Sequence, residues 1–492
     1  MSRKPLVREL LREISPTQRQ VKSDRLQKRH DHEFKPLQLQ ILLGARELLR
    51  HLERSARDGP LRRQEQKVDC ASAENLKIPR HVSVVKLQGP PDGPERPIIL
   101  LYSIVCLWVF RSCFGGYGPR RRLVSKAMRI AQVAPLYESI PPRLYGGTER
   151  VVSWLTEELV RLGHDVTLFA SGDSVTNARL VPACSRALRL DPQCKDPFAH
   201  HVLMMEKVFT QVANFDLVHF HTDYFHFPLS RRQDVPCVTT LHGRLDLPDL
   251  VPVYQTFREQ PLVSISDSQR TPLPWANWQG TVRHGMPRQS LTFSQGDGKY
   301  LAFLGRVSPE KGVDEAIDIA RRSGMPLKIA AKIDQADRAY FEHQIRPVLN
   351  CGGVEFIGEI SNDEKNGFLG EAAALLFPIC WPEPFGIVMI EALACGTPVI
   401  AYDRGSVPEI MVDGVTGFVV DDCAGAIAAV KRLREIDREV CRRHFERHFS
   451  VERMAQEYVT IYKRLVRGEA LPLTLEDGVP SWTDLVSPNT TT

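Results

Sequence analysis

The sequence predicts an α/β protein with two Rossmann-like, doubly wound domains facing each other across a cleft. Three observations predict it. From residue 128 onward, short apolar strand candidates alternate with amphipathic helical stretches, the pattern of a parallel sheet covered by helices on both faces. One polar, Gly-containing stretch, 285–299, breaks this alternation, which then restarts. The residues able to do chemistry follow the predicted strands, at the carboxyl ends where such sheets bind ligands.

In the first domain, 129–134 reads as a strand, 148–162 as an amphipathic helix and 165–170 as a strand. Further strand candidates lie at 217–220, 237–241, 262–265 and 281–283. The second domain runs strand 300–304, helix 313–323, strand 327–331, helix 336–349, strand 354–357 and helix 363–371. Strand 374–378, a helix opening at Pro384 and strand 398–401 complete it. The expected division is 128–285 for the first domain, 286–449 for the second and 450–466 for a crossover helix. Residues 467–492 read as a polar tail, in which Pro472, Pro480 and Pro488 discourage regular structure.

Residues 1–127 are a different object electrostatically. They hold 26 Lys+Arg against 13 Asp+Glu, whereas the remainder holds 38 against 46. A helix candidate at 37–52 stands alone there, without strand–helix alternation. Met128 stands one residue before the first strand, so the functional protein is expected to start there, with 1–127 an unusual extension or a misassigned start. The apolar run 98–110 is shorter than the roughly 20 residues of a spanning helix. The basic residues beside it, Arg111 and Arg120 to Arg122, suit peripheral contact with an anionic membrane surface; a soluble core segment, or no folded structure at all, is the alternative. Residues 1–50 are basic and polar without an early apolar core, so no signal peptide is expected. The 11 cysteines, odd in number and without a C-x-x-C pair, argue against a disulfide framework and a zinc ribbon. A cytoplasmic, reducing location is expected, with no nucleic-acid partner.

The densest chemistry lies in W-P-E-P-F-G-I-V-M-I-E-A-L-A-C-G-T-P-V, residues 381–399. Glu383 and Glu391 stand eight positions apart around a predicted helix start, and Pro384 suits a first helical position. On a regular helix that spacing is roughly 12 Å, leaving one carboxylate at the open end and the other about two turns inside. A helix N-terminus binds anions, so phosphate could lie between two hydroxyl-accepting carboxylates. That layout suits a sugar nucleotide; a buried helix with a solvated acid at each end is the alternative. The first βα turn carries Gly146-Gly147-Thr148-Glu149-Arg150, where paired glycines permit close backbone approach. This is not the G-x-G-x-x-G dinucleotide fingerprint. The second domain opens with G-R-V-S-P-E-K-G, residues 305–312, in which Arg306 and Lys311 can converge on one anion across a turn. His242 ends strand 237–241 and can reach the cleft to donate a hydrogen bond; a structural histidine is the alternative. His219, His221 and Asp223 alternate along a strand end, but no third ligand at metal spacing accompanies them. Ser266 and Arg270 are read as capping residues, with contact to substrate the alternative.

These residues together resemble the family 4 glycosyltransferases, retaining enzymes of the GT-B fold. The likeness rests on G-G-T, G-R-x-x-x-E-K-G and E-P-F-G-I-V-M-I-E-A-L-A-C-G-T-P-V in their expected order, and covers about 128–466. It implies that Glu383 binds the donor sugar near the reacting carbon and that Glu391 binds the ribose hydroxyls. Arg306 and Lys311 would hold the diphosphate and stabilise it as it departs. Gly386 and Ile387 would assist at the helix end, Gly146 and Gly147 would approach the phosphates, His242 would bond the sugar, and Ile360 would lie beside the base. The implied reaction moves a hexosyl group from a nucleotide-diphosphate sugar, with UDP-sugars such as UDP-glucose favoured over GDP-sugars, with retention. No cofactor and no metal are implied. The acceptor, a small molecule, lipid or polysaccharide, would meet residues 137–145. One departure stands out: relatives often read N-G-I-D between the domains, where this chain has His284-Gly285-Met286-Pro287. A sugar-nucleotide epimerase and a non-catalytic sugar-nucleotide-binding protein are the alternatives. A phosphorylase is disfavoured for want of a pyridoxal-phosphate lysine site.

Overall fold

Strands whose every residue is buried need helices on both faces, and Leu217–Phe220, Cys237–Thr240, Ala374–Phe377 and Val399–Tyr402 have that character. In the computed structural model the described residues are 66–69, 81–84, 127–143, 146–296, 298–349 and 352–469. They belong to two units, divided between residues 118 and 119. In the first, β1 (Gln66–Asp69) pairs antiparallel with β2 (His81–Val84). The helix expected at 37–52, the apolar run 98–110 and the tail from 470 lie outside the described residues.

The second unit holds two parallel sheets. The first contains β3 (Arg129–Val133), β4 (Asp165–Ser171), β5 (Arg179–Cys184), β6 (Leu217–Phe220), β7 (Cys237–Thr240), β8 (Leu262–Ser264) and β9 (Trp278–Thr281), in the order β5-β4-β3-β6-β7-β8-β9. The second contains β10 (Leu301–Arg306), β11 (Leu327–Lys332), β12 (Val354–Gly358), β13 (Ala374–Phe377), β14 (Val399–Tyr402) and β15 (Gly417–Val420), in the order β12-β11-β10-β13-β14-β15. Each order reverses beside its first strand, at β3/β6 and β10/β13. These reversals are the switch points at which doubly wound sheets open a crevice.

Three helices frame the site in sequence order. They are α1 (Gly147–Arg161), α2 (Asn362–Gly370) and α3 (Ile387–Ala394). A fourth, α4 (Val451–Val466), starts at Ser450, whose side chain accepts from Arg453 N. Its Met454, Tyr458, Ile461 and Tyr462 pack with Ile130, Leu217 and Val263 in the core of the first sheet. Full burial of such an apolar side chain contributes roughly 1.5–3 kcal/mol, so α4 is held firmly to that sheet. The chain between the sheets is tied to the start of α4: Met286 N donates to Phe449 O at 2.9 Å and Val451 N to Met286 O at 3.1 Å.

Several elements differ from expectation. The helix expected over 336–349 is interrupted by a wide turn, Phe341–Ile345, ahead of Arg346–Leu349. Pro347 lacks an N–H and crowds the carbonyl four residues back, which accounts for the widening. The strand expected at 281–283 is instead Trp278–Thr281, and β5 and β15 were not anticipated. Both unanticipated strands lie at sheet edges, where β5 tolerates Pro182. No helix among the described residues is long and apolar enough to cross a membrane.

Candidate active site

The carboxyl ends of the two sheets enclose one cavity of about 430 Å³. Gly146, Gly147, His242, Arg306, Lys311, Ile360, Glu383, Gly386, Ile387 and Glu391, the residues to which the resemblance assigns a role, line it, whereas His219, His221, Asp223, Ser266 and Arg270 do not. The two walls come close: a Cβ added at Gly147 would sit 3.4 Å from Ile387 Cδ1.

The Glu383–Glu391 segment is built differently from the expectation. Helix α3 begins at Ile387, not at Pro384, with Gly386 as its N-cap at φ 77°. That left-handed conformation ends the loop and excludes a longer helix, because the preceding residues cannot join its hydrogen-bond ladder. An added Cβ at Gly386 would also lie 2.8 Å from Met389 Cε and 2.9 Å from Phe377 Cζ. Glu383 therefore stands on the loop, and Glu391 is the fifth residue of the helix. Gly386, Ile387 and Val388 line the cavity, so the helix end with its unsatisfied amides lies against it.

Each charge on this wall has a partner. Glu383 pairs with Lys311 Nζ, and that ammonium also lies 5.1 Å from the Trp381 ring. Arg306, at the end of β10, pairs with Glu310 and has Asp334 at 3.8 Å and Asp337 at 3.7 Å. Glu391, 3% exposed, takes Lys365 Nζ on Oε1 at 2.6 Å. Burial draws the Lys365 ammonium below its ordinary value, while Glu391 opposes the shift. Glu391 Oε2 is buried with no hydrogen-bond partner among the described residues. Sequence reasoning missed Lys365. It lies on α2, where its neighbours Phe368 and Leu369 are also buried, and an inward lysine on that face was the available signal. Ile360 precedes Ser361, the cap of α2, whose capping box with Glu364 fixes the turn beside the cavity.

The opposite wall is mostly uncharged. His242 follows β7, and its Nε2 lies 2.9 Å from His221 Nδ1. Burial pushes the His242 imidazole down to about 3. His284, from the stretch that departs from the N-G-I-D pattern, is buried at the cavity, its ring 5.3 Å from His242 and 4.7 Å from Phe385. That departure was the signal for a residue the sequence reading did not assign. His219 is committed to Tyr462 OH and Thr240 Oγ1, each at 2.7 Å, so its ring nitrogens serve the core. Ser266 Oγ accepts from Gln269 N at 3.1 Å, the capping role expected of it, whereas Arg270 Nε donates to Ser264 Oγ at 2.7 Å, a bond to the strand rather than to a helix end. Beside the Gly146 turn, Arg189 pairs with Glu138, and burial pushes the Glu149 carboxyl up to about 7, aided by Glu138 and opposed by its own backbone amide. Tyr137 and Glu138, from the stretch read as an acceptor lining, border the cavity; residues 144 and 145 lie outside the described residues.

Two family models match the chain. The model for glycosyl transferases group 1 covers 290–444 and that for glycosyltransferase family 4 covers 145–278, together more than half of the sequence. The chain belongs to the family 4 glycosyltransferases. Among relatives, glycogen synthase of Mycobacterium tuberculosis is 26% identical over 406 residues, 70% of this chain and 97% of that protein. Among solved structures, sucrose-phosphate synthase of Thermosynechococcus elongatus superposes with a TM-score of 0.60 at 19% identity, covering 69% of this chain and 100% of that one. HepE of Anabaena, in complex with UDP and glucose, superposes with a TM-score of 0.54 at 17% identity, covering 68% and 99%. The two parallel sheets of this glycosyltransferase are thus those of the GT-B fold.

Proposed function

We propose that this glycosyltransferase moves a hexosyl group from a nucleotide-diphosphate sugar, with UDP preferred over GDP, to an acceptor hydroxyl, with retention and without a required metal. The observation that carries the reading is the Glu391 carboxylate. One oxygen is neutralised by Lys365, and the other is buried at the cavity with no partner among the described residues. A buried carboxylate oxygen requires a hydrogen-bond donor, and a ribose diol supplies two. HepE, of the same fold, is known in complex with UDP and glucose, which favours the UDP choice.

The remaining roles follow from charge. Breaking a sugar–diphosphate bond moves negative charge onto the leaving phosphate. Arg306, Lys311 and the amides at the start of α3 border the same cavity, and preorganised groups of this kind stabilise developing charge most effectively. For Lys311 to do so it exchanges its contact with Glu383 for the diphosphate, leaving Glu383 to accept from sugar hydroxyls. Same-face attack of the acceptor, assisted by the departing phosphate, gives retention.

The experiment is a thermal-shift panel of UDP-, GDP- and ADP-sugars on the protein and on Glu391→Gln. A ligand at a hundred times its Kd stabilises by about 2.7 kcal/mol. The expected result is a shift with a UDP-sugar that Glu391→Gln loses, followed by transfer with an unchanged anomeric configuration and no response to a chelator. No shift with any nucleotide sugar sinks the reading. Conversion of the donor without acceptor would mark an epimerase, and binding without turnover a non-catalytic binder.

A further inference from the structure

Behind the uncharged wall, buried polar side chains form one chain of hydrogen bonds that ends at the cavity. Tyr462 of α4 receives the Gln132 amide, Nε2 to OH at 3.2 Å. Gln132 Oε1 lies 2.8 Å from His221 Nε2, and His221 Nδ1 lies 2.9 Å from His242 Nε2. Gln132 and Tyr462 are fully buried and His221 nearly so. His242 lines the cavity, and its remaining ring nitrogen, Nδ1, is buried and has no hydrogen-bond partner among the described residues.

Proton counting gives this chain a direction. An amide oxygen only accepts, so His221 carries its proton on Nε2. A neutral imidazole has one N–H, so His221 Nδ1 accepts and the proton between the two rings belongs to His242 Nε2. His242 Nδ1 is then a bare lone pair. Both rings are held neutral by burial, His242 down to about 3 and His221 well below its ordinary value. The direction depends on the Gln132 amide, since turning it over would reverse every proton along the chain.

We propose that Gln132 and His221 are positioning residues that present His242 Nδ1 to the cavity as a hydrogen-bond acceptor, so that the transferred sugar must offer a hydroxyl hydrogen at that point. The proposal rests on the nucleotide-sugar reading above and reverses the direction expected for the His242 hydrogen bond. A hydroxyl satisfies the lone pair. A ring hydrogen, a fluorine or a carboxylate at that position leaves it unpaired, which selects among sugars by the polarity of one substituent rather than by size.

Two measurements on the full chain test it. With 15N-histidine label, the His242 resonances, assigned by their loss in His242→Asn, should show a protonated Nε2 and a bare Nδ1 at neutral pH. A protonated Nδ1 overturns the proposal whatever the substrate. With UDP-glucose and its singly deoxygenated and deoxyfluorinated analogues, both analogues at one ring position should lose about ten- to a hundredfold in kcat/KM. A deoxyfluoro analogue as good as the parent at every position overturns it. In Gln132→Glu the new carboxylate draws His221 to its doubly protonated form, reversing the bond to His242. The deoxyfluoro-to-parent ratio at that position should then rise about tenfold, since Nδ1–H can donate to fluorine. Should that variant fail to fold, Tyr462→Phe removes the hydroxyl that orients the amide, which also bonds His219, and should raise the same ratio; an unchanged ratio in a folded variant overturns the proposal. If UDP-glucose is neither bound nor turned over, the choice of donor falls, and the resonances alone decide the tautomer.

Discussion

The two walls of the cleft handle polarity in opposite ways. The second-sheet wall stores full charges as ion pairs, Lys311 with Glu383, Lys365 with Glu391 and Arg306 with Glu310. Around His242 and His221 the first-sheet wall is made of imidazoles that burial keeps neutral. An ion pair can trade one partner for a ligand's charge, whereas a neutral hydrogen-bond chain reads only which side gives the hydrogen. In the proposed reaction the charged wall thus suits the diphosphate, with Glu383 freed to meet the sugar, and the neutral wall suits a single sugar hydroxyl. The contrast is incomplete near the Gly146 turn, where Arg189–Glu138 and Glu149 add charge to the first wall.

The largest effect is expected from breaking the most buried pair. Glu391→Ala leaves the Lys365 ammonium without its counter-charge, and removing one member of a buried pair costs about 3–5 kcal/mol. Urea unfolding measures this, and the double variant Glu391→Leu with Lys365→Met should recover most of the stability while still failing to bind donor. A single-variant loss below about 1 kcal/mol would show that the pair is not the structural element of this wall. Lys311→Ala comes next. If its ammonium meets charge that grows only as the leaving group departs, kcat should fall by about 10²–10³ with KM little changed. A rise in KM alone would make it a ground-state contact instead.

The exception on the first wall gives a pH test. Glu149 titrates at about 7 in the folded chain, against an ordinary carboxyl value when unfolded. Between those values the folded chain binds more protons, so this group's stabilising contribution is complete below about pH 4.5 and is lost as pH rises through 7. Glu149→Gln keeps the neutral form at every pH. Its stability relative to the parent should therefore be greater at pH 8 than at pH 5, by about 2–3 kcal/mol in denaturant titrations. An equal difference at both values would place the carboxyl at its ordinary pKa.

What could be read from the sequence followed the range of the interactions. Gly146-Gly147, the Arg306–Lys311 turn and the 381–399 segment are local patterns, and all of them reach the cavity. The helix starts later than Pro384 suggests, because the left-handed backbone of Gly386 is what stops the loop. The partners were out of reach. Lys365 lies 26 positions before Glu391, His221 lies 21 before His242, and Gln132 meets a tyrosine 330 positions away. Apolar periodicity assigns such residues to buried faces but does not say which polar atoms meet there. The edge strand β5 is partly exposed, and Pro182 inside its short apolar run argues against a strand.

The smallest expected effect concerns what holds the walls together. Arg150, on the first helix after the Gly146 turn, crosses the cleft to donate to Asn362 Oδ1 at 2.5 Å, on the helix that also carries Lys365. Arg150 is buried while Asn362 is exposed, so the contact competes with water on one side only. A hydrogen bond of this kind is worth about 1 kcal/mol net. Asn362→Ala removes it without touching either proposed charge carrier or His242. If closure precedes chemistry, the variant should raise the donor KM by about two- to fivefold and leave kcat unchanged, because the closed complex, once formed, has the same walls. A fall in kcat with KM unchanged would mean that the Arg150 bridge orients the charged wall during transfer, joining the two walls into one electrostatic unit.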